Sequence, residues 1–151
     1  MESDSRLPML AKHLSILAGN SVLESAWPSV LPSGYISGHF NQNMLFRMFL
    51  VGISADGEWL RFNFDGVLEM AVRLGKAHIS ILGVKNPVPL PEGSAVTDKT
   101  VPAFRLVFTS GAEILLFDPE LEAEIHIDVR ERICKILSEK GCGEEDWGFN
   151  D

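Results

Sequence analysis

The residues of this chain that could do chemistry are few and widely separated. His126 and Asp128 stand two positions apart, so on a strand they would share one face, as a ligand pair or an oriented base requires. Asp128 is better used as a helix cap, however, and no third ligand is in view. His39 and His78 fall in polar or turn-rich contexts, and His13 falls within a helical pattern. Gly34-Tyr-Ile-Ser37-Gly38 is one residue off the G-x-S-x-G spacing, so Ser37 is not placed on a nucleophile elbow and reads as a loop serine. Cys134 beside Ile133 reads as a small buried hydrophobe, and nothing near Cys142 would depress its thiol pKa. Phosphate-loop, dinucleotide and zinc signatures do not occur. No cofactor and no metal are expected.

The elements that would position these residues centre on Phe49 to Phe64, FLVGISADGEWLRFNF. Asp56-Gly57 is a strong hairpin signal. With those two as the loop, Ile53 faces Leu60, Val51 faces Phe62 and Phe49 faces Phe64, giving one apolar face. The other face carries Trp59, Arg61 and Asn63 and is mixed. A second hairpin is expected over Ala103 to Phe117 with Ser110-Gly111 at its tip. That register sets Phe104, Leu106 and Phe108 beside Leu115 and Phe117.

Around these hairpins the pattern predicts a first helix over Arg6 to Ala18, capped by Ser5, with Pro8 in its first turn. Ser21 and Glu24 form a capping-box signature that predicts a short second helix ending before Pro28. Residues 28–43 read as a connecting loop with a short extended piece around Tyr35 and Ile36. Residues 67–74 fit a helix or a strand equally well. Ala77 to Val84 reads as a strand, residues 85–102 as a long proline-rich loop, and Glu124 to Ile127 as a short strand. Asp128, with Glu131 three residues on, is expected to cap a last helix whose buried stripe is Val129, Ile133, Ile136 and Leu137. The fold class is therefore α+β, a largely antiparallel sheet with two β-hairpins packed by N- and C-terminal helices. The chain reads as a single domain over 1–151.

Acids outnumber bases 21 to 13, a formal charge of −8, in a chain of 151 residues that is 46% apolar. This balance argues against nucleic acid or an anionic membrane and for a basic partner protein. Two cysteines and no long apolar run predict a cytoplasmic setting and no membrane. The acidic tail from residue 143 places Trp147 and Phe149 among Glu144, Glu145 and Asp146, which suits a basic, partly apolar partner surface. Trp59 and Arg61 on the mixed hairpin face complete the expected interface.

Over Met44 to Ile127 the chain resembles small bacterial immunity proteins of polymorphic or contact-dependent toxin systems. The residues that carry this are FNFDGVLEM at 62–70, HISILGV at 78–84 and FRLVFTSGAEILLFDPELEAEI at 104–125. The resemblance implies a non-enzymatic inhibitor that binds a basic toxin domain. The alternatives are a small-ligand-binding protein or enzyme using His39, His78 and His126, and a structural subunit of a larger assembly.

Overall fold

The computed structural model of the chain describes residues 5–28, 31–32, 34–38, 45–65, 68–83 and 101–139. Among them, helix α1 (Leu7–Leu14) runs into a 3-10 turn (Ser15–Leu17), and helix α2 (Arg130–Glu139) closes the described chain. Between these lie strands β1 (Val22–Ala26), β2 (Ile36–Ser37), β3 (Leu50–Asp56), β4 (Trp59–Phe64) and β5 (Leu68–Arg73). They are followed by β6 (His78–Leu82), β7 (Phe104–Phe108), β8 (Glu113–Phe117) and β9 (Glu124–Val129). The α+β class is as expected, but the strands form two sheets rather than one. A four-stranded sheet has the order β1-β7-β8-β6, and a five-stranded sheet has the order β2-β9-β5-β4-β3. Only β2 and β9 run parallel within it; every other described pairing is antiparallel.

Alternation of apolar residues builds the core between the sheets. Leu60, Phe62, Phe64, Met70, Val72, Ile125 and Ile127 project from one sheet and meet Phe104, Leu106, Phe108, Ile114 and Leu116 from the other. Helix α1 adds Leu7, Ala11 and Leu14 against β3 and β4. The Arg6 guanidinium donates to the carbonyls of Gly75 at 2.8 Å and Ala77 at 3.1 Å, tying the start of the helix to the β5–β6 turn.

The first hairpin forms, with its turn one residue later than predicted. Asp56 pairs with Trp59, so Gly57-Glu58 are the loop, and Gly57 at φ +62° takes the first central position of a type II′ turn. Ile53 therefore opposes Phe62 and Ala55 opposes Leu60. A bulge between Leu50 and Gly52 then turns Leu50 inward opposite Phe64. Phe49 and Val51, expected in the core, are left 51% and 60% exposed.

The same kind of detail decides one open reading and corrects two expectations. Residues 68–73 are strand, because three residues rather than two link Phe64 to Leu68, and Met70 then stands opposite Phe62. In the second hairpin Leu106 pairs with Ile114, so Ile114 and Leu116, not Leu115 and Phe117, join the core face. The predicted helix at 21–27 is strand β1, whose bulge between Val22 and Glu24 spaces its buried residues, Val22 and Ser25, three apart. That spacing imitates one turn of helix. The first helix is shorter than expected and Arg6, not Ser5, stands at its cap. Asp128 belongs to β9 and accepts a hydrogen bond from the Val129 N–H at 2.7 Å, while α2 begins at Arg130. No helix of the described residues is long and apolar enough to cross a membrane.

Candidate functional site

The face of the five-stranded sheet turned away from the core is unusually polar. Register places Trp59, Arg73 and Glu124 in one row across β4, β5 and β9, and Arg61, Ala71 and His126 in the next. Asn63, Glu69 and Asp128 make a third row, and β2 extends the middle one with Ser37 beside His126. Helix α2 lies over part of this face, packing Ile133 and Leu137 onto Trp59 and Ala71. The small side chain of Ala71 is what admits the helix at that point.

Under α2 sits a buried ion network. Arg61 donates to both oxygens of Glu69, through Nε to Oε2 and through Nη2 to Oε1 at 2.8 Å, and its other arm reaches Asp56 at 3.3 Å. Arg130 adds a looser contact to Glu69 at 3.8 Å. Burial pushes the Glu69 carboxyl above the usual carboxylate range, and Arg61 and Arg130 pull it back. Burial likewise raises the Cys134 thiol, whose Sγ stands 3.9 Å from the Arg61 guanidinium, so Cys134 is no activated thiolate.

Where α2 leaves the sheet uncovered, at the β2–β9 edge, a cavity of about 440 Å³ opens beside Ser37, His126, Asp128, Arg132, Lys135 and Ile136. His126 Nδ1 stands 2.7 Å from the Ser37 Oγ, and its Nε2 stands 2.7 Å from Glu124 Oε2. With Nε2–H donating to the carboxylate, Nδ1 is left to accept the serine proton. Glu124 is held in turn by Arg73 at 3.3 Å, and the His126 ring rests against the Trp59 indole with centroids 5.6 Å apart. Ser37 is fixed through its neighbour. The Tyr35 hydroxyl donates to buried Asp118, and the Tyr35 carbonyl accepts the Ile125 N–H at 3.1 Å. Asp118 also accepts the Ala123 N–H at 2.7 Å and the Glu122 N–H at 3.1 Å. Burial first, and the Asp118 carboxylate second, raise the Tyr35 phenol far above its ordinary value. Gly38 follows Ser37 at φ +139°, a backbone that L side chains rarely adopt, so no side chain crowds the hydroxyl from that position.

A second exposed feature lies at the turn before β3. Met48 N–H bonds to the Leu45 carbonyl at 2.9 Å, closing a turn in which Arg47 has φ +68°. A positive φ at this position normally calls for glycine. Phe46 is 48% exposed, and the Arg47 guanidinium lies over its ring at 5.2 Å.

The expected site residues fare differently. Trp59 and Arg61 are 1% and 6% exposed, sealed beneath α2, and offer no surface to a partner. Glu144, Glu145, Asp146, Trp147 and Phe149 lie outside the described residues, as do His39 and Cys142. His126, named only in the alternative reading, contacts Glu124 and Ser37 rather than Asp128, which is engaged with Val129 and, at 4.0 Å, Arg132. His78 stacks on Phe117 in the other sheet, so it does not converge with His126. Among the described residues no group of three or more His, Cys, Asp or Glu could hold a metal ion. The signal in the sequence that points to Glu124 is the alternation Glu124, His126, Asp128, which sets all three on one strand face.

Two sheets about a shared core, with a helix at either end, define a fold also found in formamidopyrimidine-DNA glycosylases. No protein-family model matches the sequence, and no curated protein matches it. Lactococcus lactis Fpg (MutM) in complex with DNA containing N7-benzyl-Fapy-dG superposes with a TM-score of 0.69 at 12% identity, over 88% of this chain and 46% of that one. The same enzyme bound non-covalently to DNA with an AP site gives 0.67 at 12% identity, over 87% and 46%. Its complex with DNA containing an oxidised pyrimidine gives 0.68 at 12% identity, over the same shares. The chain thus spans less than half the length of these proteins. This likeness overturns the resemblance to immunity proteins, and with it the expectation of a toxin inhibitor. It also removes the ground for a basic protein partner and for excluding nucleic acid. Net charge speaks to solubility and encounter, not to fold, and this fold occurs in proteins held on DNA.

Proposed function

We propose that this chain is a DNA-binding domain built on the glycosylase-type scaffold, taking duplex DNA that carries a damaged or missing base. The observation that carries this reading is the fold agreement over 88% of the chain with a protein held on such DNA. The charge of −8 is no obstacle to it. Six of the 21 acids, Glu2, Asp4, Glu144, Glu145, Asp146 and Asp151, lie in the terminal segments, and Asp56, Glu69 and Glu113 are buried against Arg61 and Arg105. The contact that fits DNA best is the turn at Phe46 and Arg47. Its exposed aromatic ring and stacked cation are the pair of groups that unstacked bases and phosphates accept, and its left-handed arginine is the kind of backbone strain that clusters at functional sites.

Fluorescence anisotropy of a labelled duplex, with and without an abasic-site analogue, tests the reading. At roughly 50 mM salt we expect saturable binding with Kd at or below about 10⁻⁴–10⁻⁶ M, tighter for the abasic duplex. Arg47→Ala should reduce the log–log salt slope by about one. Absence of saturable binding to either duplex at about 10⁻⁴ M would overturn the proposal.

A further inference from the structure

The cleft at the β2–β9 edge joins a hydroxyl, an imidazole and a carboxylate in a relay with two contacts of 2.7 Å, beside an open cavity of about 440 Å³. We propose that Ser37 is a nucleophile toward small carboxylic esters, with His126 as its general base and Glu124 as the residue that positions the imidazole. This inference does not rest on the DNA-binding reading and needs no DNA in its test.

Each part of the relay has a structural reason. Parallel pairing of β2 with β9 sets Ser37 directly beside His126, residues far apart in sequence. Glu124 is next but one to His126 on the same strand face, so its carboxylate reaches the far ring nitrogen and fixes the tautomer in which Nδ1 accepts. The ring is presented the other way round from serine proteases, where Nε2 faces the serine. The requirement is unchanged, since one nitrogen must accept while the other is held as a donor. Trp59 against the ring and Arg73 on Glu124 restrict both side chains before substrate arrives. The cavity is lined on its helix side by Ile136, suited to a short acyl chain, by Arg132, which stands 4.0 Å from Asp128, by Glu139, and by Lys135, the cation assigned to the oxyanion.

In the reaction the Ser37 oxygen attacks the ester carbonyl carbon while His126 Nδ1 takes the hydroxyl proton. The tetrahedral intermediate collapses, the C–O bond to the leaving alcohol breaks, and His126 returns the proton to that alkoxide. Water, activated by the same nitrogen, then adds to the acyl-serine, and its collapse releases a carboxylic acid and restores the Ser37 hydroxyl. The sum is ester plus water to acid plus alcohol, with no redox change.

The test uses the full chain with 4-nitrophenyl acetate and with a fluorophosphonate, whose phosphorus a reactive serine attacks with loss of fluoride. Peptide mapping reads the adduct at Ser37 against exposed Ser54 on β3 as an internal control. We expect Ser37 to be modified at least tenfold faster than Ser54, and His126→Ala to slow it by about 10²-fold or more. Added imidazole should restore part of the rate in His126→Ala, which a merely structural histidine would not permit. Glu124→Gln, still able to accept from Nε2–H, should retain more activity than Glu124→Ala. Modification of Ser37 no faster than Ser54 in the unmutated protein would overturn the proposal, whatever the variants do. So would a folded His126→Ala protein that reacts at the native rate.

Discussion

Arg61→Met isolates the energetics of the buried face. In the native protein Glu69 is fully buried and takes two hydrogen bonds from Arg61, while Arg130, 47% exposed, stands 3.8 Å away. Removing one member of a buried pair costs about 3–5 kcal/mol, because the survivor keeps its desolvation cost without its counterion. The residual contact with Arg130 lowers the loss and the stranding of buried Asp56 raises it, so about 4 kcal/mol is expected. The pH dependence has a definite sign. Without Arg61, burial drives the Glu69 carboxyl further above its unfolded value of about 4.3. Between those two values the native state holds more protons than the unfolded state, so stability rises as pH falls. The native protein's own Glu69 is already raised, so the penalty should shrink on acidification only between the native folded value and the higher one in the variant, by up to about 1.4 kcal/mol per pH unit there. Urea denaturation at about pH 7.5 and pH 5 measures both effects, and Arg61→Met combined with Glu69→Leu should recover at least half of the loss. A penalty below about 1 kcal/mol at the higher pH, or one that does not change with pH, would refute the reasoning.

Arg47→Gly should relieve a left-handed residue worth about 1–2 kcal/mol, offset by about 0.4–1 kcal/mol of added unfolded-state entropy. The expected outcome in parallel thermal melts and anisotropy is a slightly more stable protein that binds DNA less well. Tyr35→Phe should cost about 1.5 kcal/mol near neutrality, since Asp118 keeps two backbone donors. Because the Tyr35 phenol is raised in the folded state, its contribution is complete below about pH 10 and is lost as pH climbs beyond. The stability difference between the native protein and Tyr35→Phe should accordingly narrow at alkaline pH, as chemical denaturation at graded pH would read.

The hairpin around Asp56-Gly57 is legible in the sequence because alternation and a turn signal agree there. What the alternation does not carry is the bulges. At Leu50/Gly52 and at Val22/Glu24 a single extra residue reverses which side chains face in, and the one local cue is a glycine inside a strand at Gly52. The same holds for loop length. One more residue between Phe64 and Leu68 makes strand β5 consistent with the core, and one more residue in the loop, 109–111 in place of Ser110-Gly111 alone, exchanges Leu115 for Ile114. The face bearing Trp59 and Arg61 reads as solvent-exposed because the apolar stripe of α2, which covers it, lies more than sixty residues away in sequence. The cleft is not legible in spacing: Ser37 joins His126 only through the parallel β2–β9 contact, a property of topology.

The most direct measurement of the DNA-binding reading is an amide NMR titration of the full chain with a duplex carrying an abasic-site analogue. The account expects chemical-shift changes concentrated at Leu45 to Val51, around the strained turn and the exposed Phe46, Phe49 and Val51. A spectrum unchanged at saturating duplex, or changes that spare this segment, would contradict it.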